Sequence, residues 1–234
     1  LGLLTSGQVR SLTSAQISSL STDQVPLLGS DQLAALTTTQ LQYFTPDQLN
    51  ALGSSYLQGL TSTQLQILTT RQIGGFSTAQ IVNLTSAQIA SLTSTQLRVL
   101  STDQINAIET ADLQALTSVQ LQSMKTEQLS NLTSDQVQAL TSSQVASLTA
   151  TQLRSLTTDQ LNLIETQDLQ ALTSAQLQSL TTTQVVNLST DQIQALTTSQ
   201  VASLTSAQLR ALTTDQLNAL ESADLQALTS AQLR

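Results

Sequence analysis

The sequence predicts an all-α solenoid, a coil of very short helices with one helix in each eight-residue repeat. Three observations predict it. From Thr5 the chain divides without insertion into octapeptides of the pattern Thr-Ser-x-Gln-Leu-x-x-Leu, ending in a truncated one from Thr229 to Arg234. The apolar residues sit at octad positions five and eight, so their spacing alternates between three and five. A complete helix-start signature recurs from octad to octad.

The period comes first, because a unit this small buries its apolar face only against neighbouring copies. Position five is Val, Ile or Leu in all 29 occurrences, from Val9 to Leu233, and position eight is apolar in all 28, from Leu12 to Leu228. Position four is Gln in 25 of 29, the exceptions being Tyr56, Asp112, Asp168 and Asp224. Position one is Thr or Ser in 23 of 29.

The spacing comes second. A strand needs a spacing of two, which this pattern lacks. An unbroken helix fails as well, since eight residues at about 100° each leave a drift of about 80° per octad and no apolar stripe persists. The chain must therefore break and restart within every octad. A β-solenoid with Thr and Gln ladders is the alternative fold.

The restart signal comes third. Thr at position one and Gln three residues later make a capping box, in which hydroxyl and amide satisfy two backbone donors of the new helix reciprocally. The preceding Leu and the Leu at position five form the hydrophobic staple that accompanies it. Position three is Asp in eight octads (Asp23, Asp31, Asp47, Asp103, Asp135, Asp159, Asp191 and Asp215), which sets negative charge on the positive end of a helix dipole. Pro46 falls at the first helical position, where proline costs least. Each octad should then hold a helix of about six residues, roughly 9 Å long. Such a helix is unstable alone and depends on stacking. Position seven is usually small (Ala51, Ala107, Ser147, Ala195, Ala211), which allows a tight turn. Pro26 at position six and the Gly74-Gly75 pair mark less regular octads.

The chain reads as one array over residues 1–234, with a longer period laid on the short one. Residues 93–148, 149–204 and 205–234 are copies of a 56-residue block of seven octads, marked by Arg98, Arg154 and Arg210, and by Asn106, Asn162 and Asn218. Duplication accounts for this period; a structural reading is that seven octads return the coil to phase.

Composition narrows the function. The formal charge is −8 and no basic run exists, so nucleic acid and anionic membranes are poor partners. The chain has no Cys, His or Trp, which removes disulfides, thiolate chemistry, imidazole bases and nearly every zinc arrangement. No apolar run approaches the roughly 20 residues of a membrane helix. No phosphate loop or nucleophile motif is present, no cofactor is called for, and no enzyme activity is expected. The chain starts at Leu1 and both ends cut into the pattern, as a piece of a longer array would.

The best candidates for chemistry are the Glu-x-x-Asp pairs, Glu109 with Asp112, Glu165 with Asp168, and Glu221 with Asp224, where Glu replaces the capping Thr and Asp the Gln. Two carboxylates three residues apart suit a hard cation such as Ca²⁺; the competing reading makes them anions at a helix start, stabilised by the macrodipole without a ligand. The Thr column suggests ice binding as a remote alternative, against the reading that its hydroxyls are spent as N-caps.

Two resemblances bear on these readings. Phe44-Thr45-Pro46-Asp47-Gln48-Leu49 resembles the opening helix of repeats in TAL-effector DNA-binding proteins, but only over the helix start, so DNA binding does not carry over. From Leu4 to Arg234 the array resembles the Leu-Thr-x-x-Gln-Leu repeats of large bacterial secreted or surface-associated, adhesin-like proteins. That resemblance implies an extracellular or cell-surface location and a spacer or scaffold role. The chain lacks a Gly-Gly-x-Gly-x-Asp segment, so the calcium-dependent folding of repeats found beside such arrays does not transfer. The expected function is thus a structural repeat module. The alternative is a solenoid surface that binds protein or glycan through position-six residues such as Arg10, Gln42, Asn50, Arg98, Gln114 and Val186. Exposed core at the array ends also permits end-to-end self-association.

Overall fold

The computed structural model describes residues 1–232, the side chains of residues 54 and 55 excepted; Leu233, the last apolar residue of the pattern, and Arg234 lie outside the described residues. The described residues form 27 α-helices, from α1 (Ser6–Arg10) to α27 (Ser222–Ala227), with one 3-10 helix at Val25–Leu27 and no strand. The helical solenoid is therefore the fold, and the β-solenoid is set aside. The chain packs as two compact units, Leu1–Leu116 and Thr117–Arg234, divided between position eight of one octad and position one of the next.

The octad at Thr149 shows how the local sequence makes the local structure. Thr149 is extended, at φ −70° and ψ 157°, and precedes α18 (Ala150–Ser155). Its Oγ1 accepts from the Gln152 backbone N–H at 3.2 Å, and Gln152 Oε1 accepts from the Thr149 N–H at 3.1 Å. Ser155 Oγ donates to the Gln152 carbonyl at 2.7 Å, tying off a group the short helix leaves open. Leu156 is extended again, at φ −64° and ψ 138°. Its N–H goes to Leu153 O at 3.3 Å, and the next octad begins. No described residue has positive φ, so these helices stop without the left-handed glycine cap that many helices use.

Neighbouring turns are joined by two sets of side-chain hydrogen bonds. Position-four amides reach backward: Gln192 Nε2 donates at 2.9 Å to both Leu161 O and Ile164 O, positions five and eight of the octad four earlier. Position-six side chains reach forward: Gln170 Nε2 donates to Ala195 O at 2.7 Å, in the octad three later. Helices pack at the same interval of three, α21 (Ser174–Ser179) on α24 (Thr198–Ser203) and α24 on α27 in one unit. In the other unit α7 (Ser62–Gln66) packs on α10 (Ser86–Ser91), and α10 on α13 (Thr110–Gln114). Each turn within a unit thus holds between three and four octads.

Positions five and eight fill the core. Position five is buried from Val9 to Leu209 and position eight from Leu28 to Leu220. The columns break differently where neighbours run out. Leu12 and Leu20, at position eight, are only half-buried. Leu217 and Leu225, at position five, are 41% and 45% exposed. Leu228, the last position eight, is half-buried as well, so position five depends on later octads and position eight on neighbours on both sides.

The two irregular octads have different physical accounts. Pro26 supplies no N–H for a helical bond to residue 22, and its octad closes as the 3-10 helix instead. The Gly74-Gly75 octad keeps a regular helix at Thr70–Gly74, contrary to the expectation from its composition. Gly75 serves close approach, because a Cβ there would lie 2.5 Å from the Pro46 Cβ of the octad three earlier.

Gln152 makes both kinds of bond, accepting from Thr149 and donating to Leu121 O at 3.0 Å and Met124 O at 3.1 Å. Urea unfolding should show Thr149→Ala losing about 1 kcal/mol and Leu153→Ala about 2–5 kcal/mol. Gln152→Glu keeps the cap acceptor and removes the donors, and should cost about 2 kcal/mol or more by leaving buried carbonyls unpaired. A neutral Gln152→Glu would mean that the bonds between turns contribute nothing.

Candidate functional site

The structure separates the two members of each Glu-x-x-Asp pair. Glu109, Glu165 and Glu221 occupy the N-cap positions of α13, α20 (Thr166–Gln170) and α27, and all three are exposed. Asp112, Asp168 and Asp224 are buried, between 3% and 6% exposed. Asp112 Oδ1 accepts from Ser86 Oγ, and Asp168 Oδ1 from Ser142 Oγ, each serine lying at position two of the octad three earlier. Asp224 Oδ2 accepts from the Glu221 N–H at 3.0 Å. One carboxylate of each pair thus faces solvent while the other turns inward to the protein's own donors. Among the described residues no group of three or more acidic side chains is arranged to hold a metal ion.

The aspartates also alter the joint between turns. Where Gln donates to two carbonyls of the preceding turn, a carboxylate only accepts. In the octad of Asp168 the carbonyls in the corresponding places are those of Val137 and Leu140, and no amide reaches them from position four. These octads are local weak points in the stitching.

At position six, the expected place for recognition, several side chains are tied into the fold. Arg10 Nε donates to Ala35 O at 2.9 Å, Gln42 Nε2 to Ile67 O at 3.0 Å and Asn50 Nδ2 to Gly75 O at 2.7 Å, each 25 residues ahead. Arg98 and Gln114 also have partners, whereas Val186 brings no polar group to the position. The Thr column is spent in the same way. Thr149 Oγ1 accepts from the Gln152 N–H and donates to Gln152 Oε1 at 3.1 Å.

The one place where departures from the pattern converge lies in the first unit. A cleft of about 810 Å³ opens between adjacent turns, lined by Leu28, Leu33, Leu60, Asp31, Tyr56 and Gln64 among others. Tyr56 replaces the position-four Gln, and its hydroxyl is sheltered from solvent with no hydrogen-bond partner among the described residues. Burial pushes its phenol above the ordinary tyrosine range. Tyr56 was visible in the sequence only as a break in the Gln column; the cleft around it has no local signature.

The family model described as ALTTAQ repeat matches residues 1–30, 57–94, 76–107, 105–142, 163–198 and 193–221. Its name is nearly spelled out at Ala35-Leu36-Thr37-Thr38-Thr39-Gln40. No curated protein matches the chain.

The weak-joint account yields a stability test. Asp168→Gln restores an amide facing Val137 O and Leu140 O, and should raise the unfolding free energy by about 1 kcal/mol. A loss of similar size in urea titration would show instead that the Ser142–Asp168 bond is the stronger joint.

Proposed function

Because the chain belongs to the ALTTAQ repeat family, we propose that it is a structural repeat module, a spacer or scaffold segment of a large bacterial extracellular or surface protein that acts through length and stiffness. The observation that carries this reading is the use of the polar side chains. The position-four Gln and the position-one Thr or Ser are engaged in holding the octads together, and so are position-six residues such as Gln42, Asn50 and Gln170. The long amides most suited to a specific contact are thus spent on the fold, which favours the spacer over the binding solenoid. The extracellular setting rests on the resemblance of the Leu-Thr-x-x-Gln-Leu pattern to bacterial surface arrays. No helix among the described residues is long and apolar enough to cross a membrane, and the reading needs neither membrane insertion, nucleic acid nor catalysis.

The same reading gives the 56-residue block a mechanical meaning. One step of three octads and one of four make seven, so the block corresponds to two turns, and copying it lengthens the coil without disturbing its register. Insertion of one and then two further copies of residues 149–204 tests this. Helicity per residue should stay constant, and the largest dimension from X-ray scattering should grow by equal steps. Growth that stalls, or helicity that falls, would contradict an extensible spacer. Antibodies against the chain should label intact cells of the source organism, and labelling only after lysis would overturn the extracellular placement.

A further inference from the structure

We propose that the cleft around Tyr56 binds a neutral carbohydrate of one or two pyranose rings. Three departures from the octad pattern meet there, Gly29 and Gly53 at position one and Tyr56 at position four, with Pro26 and Gly59 at the variable positions six and seven beside them. The glycines lack a capping side chain and Tyr56 lacks the stitching amide. The side-chain bonds that join turns elsewhere in the unit are missing here.

The groups left over are those a hydroxylated ring would use. Tyr56 Oη has no partner among the described residues. Gln64 Oε1 caps its own helix, accepting from the Thr61 N–H at 2.9 Å, but its Nε2 makes none of the carbonyl bonds that Gln72 Nε2 makes to Leu41 O and Phe44 O in the next octad. By the same register the Gln64 amide would reach Leu33 O and Leu36 O, and the cleft lies where those bonds would run. Asp31 adds an exposed carboxylate acceptor to the same wall. A donor amide, a carboxylate and one tyrosine, which supplies both phenol and ring, match with the leucine walls the hydroxyl edges and the C–H face of a sugar. The volume falls within the roughly 300–1,000 Å³ of small-molecule sites. Among the described residues no cationic side chain lines the cleft, so an anion has no counter-charge there. A purely aliphatic ligand would leave the phenol and the amide unpaired, at the cost of burying unsatisfied polar groups.

Tyrosine fluorescence tests the proposal in the full chain, which has two Tyr and no Trp. In a Tyr43→Phe background Tyr56 is the sole reporter. Titration with glucose, galactose, N-acetylglucosamine and their disaccharides up to about 10 mM covers the millimolar range of weak specific sites. At least one sugar should give a saturable change. Tyr56→Phe, read by calorimetry, should weaken that binding about tenfold, the equivalent of one lost hydrogen bond of about 1.4 kcal/mol. Gly59→Leu should abolish binding with far-UV circular dichroism unchanged, since a Cβ at Gly59 meets nothing within 4 Å and the longer side chain enters open space. No saturable response to any sugar would overturn the proposal and leave a cleft that holds water alone. So would a response to n-propylamine but to no sugar, or sugar binding that survives Gly59→Leu.

Discussion

The fold rests on one side chain used twice. The position-four Gln accepts, through Oε1, from the backbone at the start of its own helix, and donates, through Nε2, to carbonyls at the end of a helix one turn earlier. Gln208 does both, accepting from the Thr205 N–H at 2.9 Å and donating to Leu177 O and Leu180 O at 2.8 Å. Helices of five or six residues expose most of their terminal donors and acceptors, because the first four N–H groups and the last four carbonyls lack partners within a helix. An amide bridge from one helix start to another helix end satisfies both kinds at once. The leucine columns supply most of the burial, and the amides fix which helix meets which.

This double use explains how a chain so poor in charge holds a tight coil. The bridge amides are buried, Gln208 and Gln152 being 2% and 3% exposed, and a buried hydrogen-bonded group is costly to leave unpaired. Register therefore follows from polar satisfaction as much as from packing. Where the bridge is interrupted the coil changes character. At Asp168 the joint passes to a serine hydroxyl, and at Tyr56 it opens into a cleft. The functional interest of the molecule lies in these interruptions rather than in the regular octads.

Much of the fold was legible in the sequence because its signals are local. The box of Thr149 and Gln152 spans four residues, the break of the apolar stripe follows from counting eight against the helical repeat, and Pro46 and Asp159 fit the first helical turn. What was not legible is the partner of each Gln beyond its own octad, since bonds 28 and 31 residues back leave no mark on neighbouring residues. One signal did exist. A capping box accepts Glu as well as Gln, yet position four is Gln in 25 of 29 octads and never Glu, a bias toward the side chain that carries a second donor. The buried state of Asp112, Asp168 and Asp224 was hidden for the same reason. Their exposed glutamate partners suggested a shared surface, while position four itself turns inward. The Tyr56 cleft is lined by Gly29 and, from the octad three later, by Gly53 and Gly59, a convergence that no linear reading supplies.

Hydrogen exchange of the Gln side-chain amides, followed by NMR, tests the bridge most directly. The account predicts that the Nε2 protons of Gln152, Gln192 and Gln208 exchange slowly, whereas those of the exposed Gln8, Gln16 and Gln24 exchange at the rate of a free side-chain amide. Uniformly fast exchange across the Gln column would show that the amides do not join the turns, and the leucine columns alone would then have to set the register.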